Sequence, residues 1–204
     1  VGLMSISGGV GVQMADEAVD RGLDVAPMSD AAQARLKTLL PFASSRNPVD
    51  ITAQAFNDVD LVRTNLDVML QEGTYDSIVA FFTFVAAAKS MVGPISQALR
   101  EAKAAYPGCL LVLSMVGPPD TVRIYEEAGW PVFEDPRRAV RAVDALRRFS
   151  EAFARPAPRG DVVPPSRIAL PTAPIGEAEA KRVLADAGVP VVKERLCATA
   201  AAAA

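Results

Sequence analysis

Three stretches of this sequence combine residue types and spacing suited to chemistry on an anionic group. The first is Ser7-Gly8-Gly9-Val10-Gly11, which interrupts the apolar run Val1 to Ile6 and precedes a helical pattern at Val12, Ala15 and Val19. Glycines let a ligand approach the backbone closely, and the helix that follows offers unpaired N–H groups and a positive dipole end. Neither a Walker loop nor a complete Gly-x-Gly-x-x-Gly is present, so anion binding and a plain strand-to-helix turn both stand as explanations. The second stretch is Asn47-Pro48-Val49-Asp50-Ile51-Thr52. Here Asn47 or Asp50 either reaches a ligand or fixes the loop through side-chain to backbone bonds. The third runs from Arg137 to Arg159, where Arg137, Arg141 and Arg148 share one helical face. Arginines so placed can clamp phosphates, whereas the interleaved Asp144 and Glu151 favour a solvated face of ion pairs.

Absences narrow the chemistry further. The 204 residues include no histidine, so a triad with a histidine base, an imidazole–metal site or a phosphohistidine cannot be completed within this chain. No catalytic residue is therefore assigned, and no carboxylate pair or ligand cluster has metal-site spacing. Cys109 and Cys197 make neither a disulfide framework nor a metal cluster, and a reducing cytoplasm is the expected location. Cys109 opens an apolar strand with no base in sequence reach, which suits packing better than nucleophilic work. Trp130 and the phenylalanines are expected in the core. With 50% hydrophobic and 22% charged residues and a net charge of −3, the chain should be globular and should not bind nucleic acid as its main business. No apolar run approaches the roughly 20 residues of a membrane span, and residues 1–15 carry no basic leader region.

These candidates must be positioned by strands alternating with helices. Strands are predicted at Val1–Ile6, Val25–Met28, Ile78–Phe84, Leu110–Met115 and Pro131–Phe133. The helices between them include Asp30–Leu40 capped by Ser29, Asn57–Glu72, Ala88–Tyr106, Asp120–Ala128 and Pro136–Phe153 capped by Asp135; Val140, Val143 and Phe153 form the core stripe of the last. The segment Phe42–Ala55 reads as irregular. Such alternation predicts an α/β fold, a flavodoxin-like doubly wound five-stranded parallel sheet in the order 2-1-3-4-5. Ligands in such a sheet sit outside the carboxyl ends of the first and third strands, which are here Ser5–Gly11 and Thr83–Ala88, with two helix N-termini converging there.

Residues 1–154 then form one domain. A Pro-rich linker is expected over 155–165, and 166–204 begin another domain, with a helix at Ile175–Ala187 and a strand at Val189–Leu196. A piece of that size could hardly bury its own core, so the chain is expected to be cut from a longer molecule.

Taken in order, Ser-Gly-Gly-Val-Gly-Val-Gln-Met-Ala-Asp-Glu-Ala (7–18), Gly22-Leu23, the stretch into Leu40-Pro41 and Asn-Pro-Val-Asp-Ile-Thr (47–52) resemble the NDP-forming acyl-CoA synthetases. That family includes ADP-forming acetate–CoA ligase and is related to succinyl-CoA synthetase. Past the linker, Gly176 through Leu184 and Gly188-Val-Pro-Val look like the first helix and strand of the family's ATP-grasp domain. The resemblance implies that acyl-CoA, phosphate and ADP are interconverted with the free acid, CoA and ATP through an acyl phosphate and a phosphohistidine. It places the histidine in a separate domain, in cis or in a partner subunit together with the CoA-binding domain. By motif position, Ser7, Gly8, Gly9 and Gly11 become the loop facing the phosphohistidine, and Asn47 and Asp50 the supporting loop. ATP or ADP, CoA and Mg2+ would serve the complete enzyme, a homo-oligomer acting on an acyl-CoA or carboxylic acid. This chain alone would be inactive, with acid selectivity set in other domains. At Thr83-Phe84-Val85 the chain departs from succinyl-CoA synthetase, which has a glycine pair there. A non-catalytic flavodoxin-like binding or regulatory module is the alternative. A flavin protein, which would be yellow, fits less well because the first loop lacks the hydroxyl-rich phosphate loop of flavodoxins.

Overall fold

The computed structural model describes residues 1–156 and 171–203, and most of the linker expected over 155–165 lies outside them. The chain divides into two compact units, Val1–Arg155 and Pro156–Ala204.

The first unit is built on five parallel strands: β1 (Gly2–Ser5), β2 (Val49–Asp50), β3 (Ser77–Thr83), β4 (Leu110–Met115) and β5 (Val132–Phe133). Their order is β2-β1-β3-β4-β5, with β1 interior as expected. Successive strand residues face opposite sides of a sheet, and the core divides accordingly. Met4, Ile78, Ala80, Leu111 and Leu113 pack with α2 (Asp30–Leu39), α3 (Asp60–Glu72) and α4 (Lys89–Ala105). Leu3, Val79 and Val112 pack on the other face with α1 (Gly8–Asp20) and α6 (Pro136–Ala154). Between β4 and β5 lies α5 (Pro119–Glu127). Two predicted caps are in place: Ser29 accepts from Ala32 N at 3.1 Å, and Asp135 from Arg137 N at 2.7 Å.

The second strand is a correction. Val25–Met28 is not a strand, and the place beside β1 is taken by Val49–Asp50, inside the segment expected to be irregular. Pro27 has no N–H to give a ladder. The Ala26 carbonyl accepts instead from Asn47 Nδ2 at 3.1 Å and from the Tyr75 hydroxyl at 2.8 Å.

The aromatic residues are a second correction. Trp130 and Phe82 are buried, but Phe42, Phe84, Phe149 and Phe153 are exposed. On α6 burial ends at Asp144, so Val140 and Val143 reach the core and Phe153 in the last turn does not.

In the second unit, α7 (Glu177–Asp186) is closed by Gly188 at φ +78°, and α8 (Ala200–Ala203) occupies the alanine-rich end. The strand expected at Val189–Leu196 does not form: ladder hydrogen bonds need a partner strand, and the described residues of the second unit contain none. No residue between 171 and 202 is buried. Among the described residues no helix is long and apolar enough to cross a membrane.

Candidate functional site

The carboxyl ends of β1, β2 and β3 lie side by side, since Ser5 stands opposite Asp50 on one side and Phe81 on the other. The predicted glycine loop is shorter than expected: α1 starts at Gly8, so Gly8, Gly9 and Gly11 belong to its first turn. Ser7 is the extended N-cap residue, at φ −142° and ψ 117°, and its hydroxyl makes no capping bond. Its backbone is fixed from below by buried Ser5, whose Oγ donates to Ser7 O at 2.7 Å and accepts from Ser7 N at 3.0 Å. The first helical bond runs from Gly11 N to Ser7 O at 3.0 Å. The N–H groups of Gly8, Gly9 and Val10 precede it, as orphan donors of a helix start do.

Asp50 closes one side. Its Oδ1 accepts from Thr52 N at 2.9 Å, and its Oδ2 lies 3.2 Å from the point a Cβ on Gly8 would occupy. The two flanking glycines are tied to packing: a Cβ on Gly8 would press on Asp50, and one on Gly11 would come within 3.3 Å of Pro48 Cβ. Gly9 differs. It is exposed, its φ is not positive, and a Cβ there would meet nothing within 4 Å. Ser5, Gly8, Gly11, Val12, Ser44 and Asp50 help line a cleft of about 80 Å³. Pockets for whole small-molecule ligands run to roughly 300–1,000 Å³, so this cleft admits one small group and not a flavin or a nucleotide.

At the β3 exit the structure differs from the expectation of two converging helix N-termini. A 3-10 turn at Val85–Ala87 intervenes, in which Ala87 N and Ala88 N bond to Phe84 O and Val85 O, and α4 begins only at Lys89. Thr83 sits at φ +44° and Thr52 at φ +55°, conformations that branched residues seldom adopt. The exposed Phe84 ring stacks at a tilt on Phe56, centroids 5.3 Å apart.

Asn47 stays out of the cleft. Its amide accepts from Leu3 N at 2.8 Å and donates to Val1 O at 2.8 Å and to Ala26 O. A side chain thus continues the β1–β2 pairing past the end of β2.

Arg137, Arg141, Arg147 and Arg148 of the arginine stretch are also committed elsewhere, and Arg159 lies outside the described residues. Buried Glu17 on α1 accepts from Arg21 Nε at 2.6 Å, Arg137 Nε at 2.8 Å and Arg141 Nε at 2.8 Å. Buried Asp144 accepts from Arg147 at 2.8 Å and Arg148 at 3.0 Å, with Arg21 Nη1 at 3.6 Å. The hydrogen bonds from Arg141, Arg21 and Arg137 hold the Glu17 carboxyl down at about 2. Burial pushes Asp144 up, but the bonds from Arg147 and Arg148 outweigh it and leave that carboxyl below its usual range. Glu17 is a functional residue of this network that no sequence motif marks. The available signal was an acid beside Met14 and Ala18 on the buried face of α1, opposite an arginine-rich helix. Cys109 is half-buried, and burial pushes its thiol up to about 11, which leaves little thiolate for attack. Among the described residues no group of three or more acidic or cysteine side chains could hold a metal ion.

No protein-family model matches the chain. Curated proteins are similar to it, two of them at 30% identity. One is an ADP-forming acetate–CoA ligase I of Archaeoglobus fulgidus, 30% identical over 160 residues, covering 75% of this chain and 21% of the relative. The other is the alpha subunit of an ADP-forming acetate–CoA ligase II of Pyrococcus furiosus, 30% identical over 152 residues, covering 72% and 33%. Among solved structures, a dinucleotide-forming acetyl-coenzyme A synthetase 1 of Candidatus Korarchaeum cryptofilum, in complex with phosphate and ADP, matches with a TM-score of 0.61 at 25% identity. That match covers 74% of this chain and 33% of the other. The chain thus spans a fifth to a third of the length of the curated relatives it matches. Ordered sequence similarity and a shared parallel sheet agree, and both support the NDP-forming acyl-CoA synthetase family for this chain.

Proposed function

We propose that Val1–Arg155 is the domain of an NDP-forming acyl-CoA synthetase that receives a phosphorylated histidine at the start of α1. The histidine belongs to a domain outside residues 1–204, because this chain has none. In the complete enzyme, acyl-CoA and phosphate give an acyl phosphate and CoA. The phosphoryl group passes to the histidine with release of the acid, and then to ADP. ATP or ADP, CoA and Mg2+ serve that complete protein, which is cytoplasmic and oligomeric. Residues 166–204 begin its ATP-grasp domain, and the 204-residue chain alone turns over nothing.

Gly9 is the observation that carries this assignment. A glycine inside a helix turn lowers its stability relative to alanine, and neither backbone geometry nor a neighbour requires one there. A ligand approaching the N–H groups of Gly8, Gly9 and Val10 does require it. Those donors and the helix dipole favour phosphoryl oxygens. A free phosphate would meet the Asp50 carboxylate at close range, whereas a phosphohistidine protonated on its second ring nitrogen brings an N–H that Asp50 Oδ2 can accept from. The group therefore fits both halves of the cleft, the amides holding its charge and Asp50 its ring.

The test is Gly9→Val in the complete synthetase, with labelled ATP and isolation of the phosphorylated histidine. Phosphoryl transfer should fall on the order of 100-fold, as when a preorganised donor to a developing oxyanion is lost, while the melting transition hardly moves. Normal labelling on a folded variant would reduce the first turn of α1 to a connection.

A further inference from the structure

The last three turns of α6 carry an apolar stripe on their outer side. Leu146, Phe149 and Phe153 are 55%, 62% and 87% exposed, past the point where burial on this helix ends. They recur at spacings of three and four, as the seam residues of paired helices do. Leu146 also lines a groove of about 420 Å³, together with Ser77 and Leu110 at the starts of β3 and β4. Stripe and groove therefore lie at the amino ends of the strands, the edge opposite the glycine cleft. Charge flanks the stripe on one side only. Arg141 and Arg148 form a row about 100° round the helix from Phe149. Glu17 and Asp144 hold their Nε atoms, which fixes each guanidinium at its base while the side chains stay exposed. On the other side Ser150 borders the groove. An apolar patch of adjacent large side chains on a regular element marks a surface that another molecule covers.

We infer that this stripe and groove seat an acidic amphipathic helix from the part of the complete synthetase outside residues 1–204. The inference rests on the reading of this chain as one domain of that longer enzyme. Two-thirds or more of each curated relative lies outside the matched span, so ample polypeptide remains to supply the helix. Helices pair through side chains at i, i+3 and i+7, which is the spacing of Leu146, Phe149 and Phe153. Charge and shape decide among the occupants. Two copies of α6 packed antiparallel would set one arginine row against the other. A lipid surface would meet the stripe but leave the concave groove beside it unfilled. A helix with carboxylates along one flank pairs with the arginines and places an apolar side chain in the groove.

Hydrogen exchange comparing the 204-residue chain with the complete synthetase tests this directly. The backbone amides of residues 145–154 should exchange at least about tenfold more slowly in the complete protein. Phe149→Asp should abolish that ratio, with the Trp130 unfolding signal hardly moved because the ring it removes is exposed. Arg148→Gln should lower the ratio about threefold, any intrinsic fraying of α6 being common to both proteins. An unchanged ratio in Arg148→Gln overturns the acidic character of the occupant, and equal exchange in the two wild-type proteins overturns the docking site. Protection in the 204-residue chain that grows with its concentration assigns the stripe to a second copy. Sedimentation of that chain with phosphatidylserine–phosphatidylcholine vesicles, lost in Phe149→Asp, assigns it to a membrane. Either result overturns the helix. Labelled phosphohistidine should still form in Phe149→Asp, since the cleft lies at the other edge. Protection of α6 without any labelled histidine in the wild type supports the docked helix and overturns the phosphohistidine assignment instead.

Discussion

Replacing Glu17 by glutamine keeps the shape of a buried side chain and removes the charge on which three arginines converge. In the wild type, both carboxylate oxygens accept: Oε1 from Arg21 and Arg141, Oε2 from Arg137 and at 3.4 Å from Arg141 Nη2. In Glu17→Gln one of these positions becomes an NH2 group that faces further donors. Hydrogen bonds to a charged group are each worth about 1.5–3 kcal/mol. The arginine side chains are 30%, 54% and 48% exposed, so water screens part of each pair and hydrates the cations once they are released. The net loss should therefore be about 2–3 kcal/mol rather than the full sum. Trp130 is the single tryptophan and is buried in the first unit, so its fluorescence reports that unit's unfolding. At about 1–3 kcal/mol per molar urea, the midpoint at pH 7 should fall by roughly 1 M or more. The pH dependence gives a second check. The folded carboxyl titrates at about 2, against 4.5 for the ordinary group. Its contribution is therefore complete above pH 4.5, fades as pH falls through that window, and is gone below about 2. Wild type and Glu17→Gln should converge over that range. A glutamine variant within about 0.5 kcal/mol of wild type at pH 7, or a gap that persists unchanged at pH 2, would refute the role given to this network.

Four further substitutions separate the structural residues from the rest. Asn47→Ala leaves the buried Leu3 N–H and the Val1 carbonyl without partners and should cost about 2–3 kcal/mol in urea unfolding; a neutral result would mean the β1–β2 pairing does not depend on that amide. Asp135→Ala removes the acceptor for Arg137 N and Arg138 N at the start of α6 and should cost about 1 kcal/mol, read from the same transition. Gly11→Ala places a Cβ 3.3 Å from Pro48 and should destabilise by about 1–2 kcal/mol, whereas Gly9→Ala should be neutral or stabilising by up to about 1 kcal/mol. Equal costs at the two glycines would contradict the geometry of the first turn.

Legibility followed the strength of the local signal. Ile78–Phe84 and Leu110–Met115 are apolar except for Thr83 and Ser114, and both form strands within a residue or so of their predicted ends. Ser29 and Asp135 announce their helices because a cap is a local bond that needs no distant partner. The second strand was missed for the opposite reason. Val49–Asp50 is only two residues long, and its place is set by β1, by the Asp50 N bond to Ser44 O and by a side-chain amide at position 47. None of those partners is adjacent in sequence. Phe153 fell outside the core although its spacing on α6 is correct, since periodicity gives the face of a helix and not where its neighbours end. Glu17 is not legible because two of its three arginine partners lie 120 and 124 positions away.

The candidate site shows the same division at finer scale. Gly8, Gly9 and Gly11 look alike in sequence, and all three read as one glycine loop between strand and helix. Once α1 is seen to begin at Gly8, that reading fails for each of them, because none has a positive φ. Gly11 is small so that α1 can lie against Pro48, and Gly8 so that Asp50 can reach the helix start. These two position the cleft. Gly9 does neither, and what it leaves open is the approach to three backbone N–H groups beside a carboxylate. Asn47 and Asp50 divide in the same way: one spends its amide on β1, while the other keeps one oxygen toward the cleft. The short β2 strand links them, since pairing it with β1 sets Asp50 beside Gly8 and leaves Asn47 at the far end of the strand. A two-residue strand thus decides which polar side chain can meet a phosphorylated group and which can only hold the sheet together.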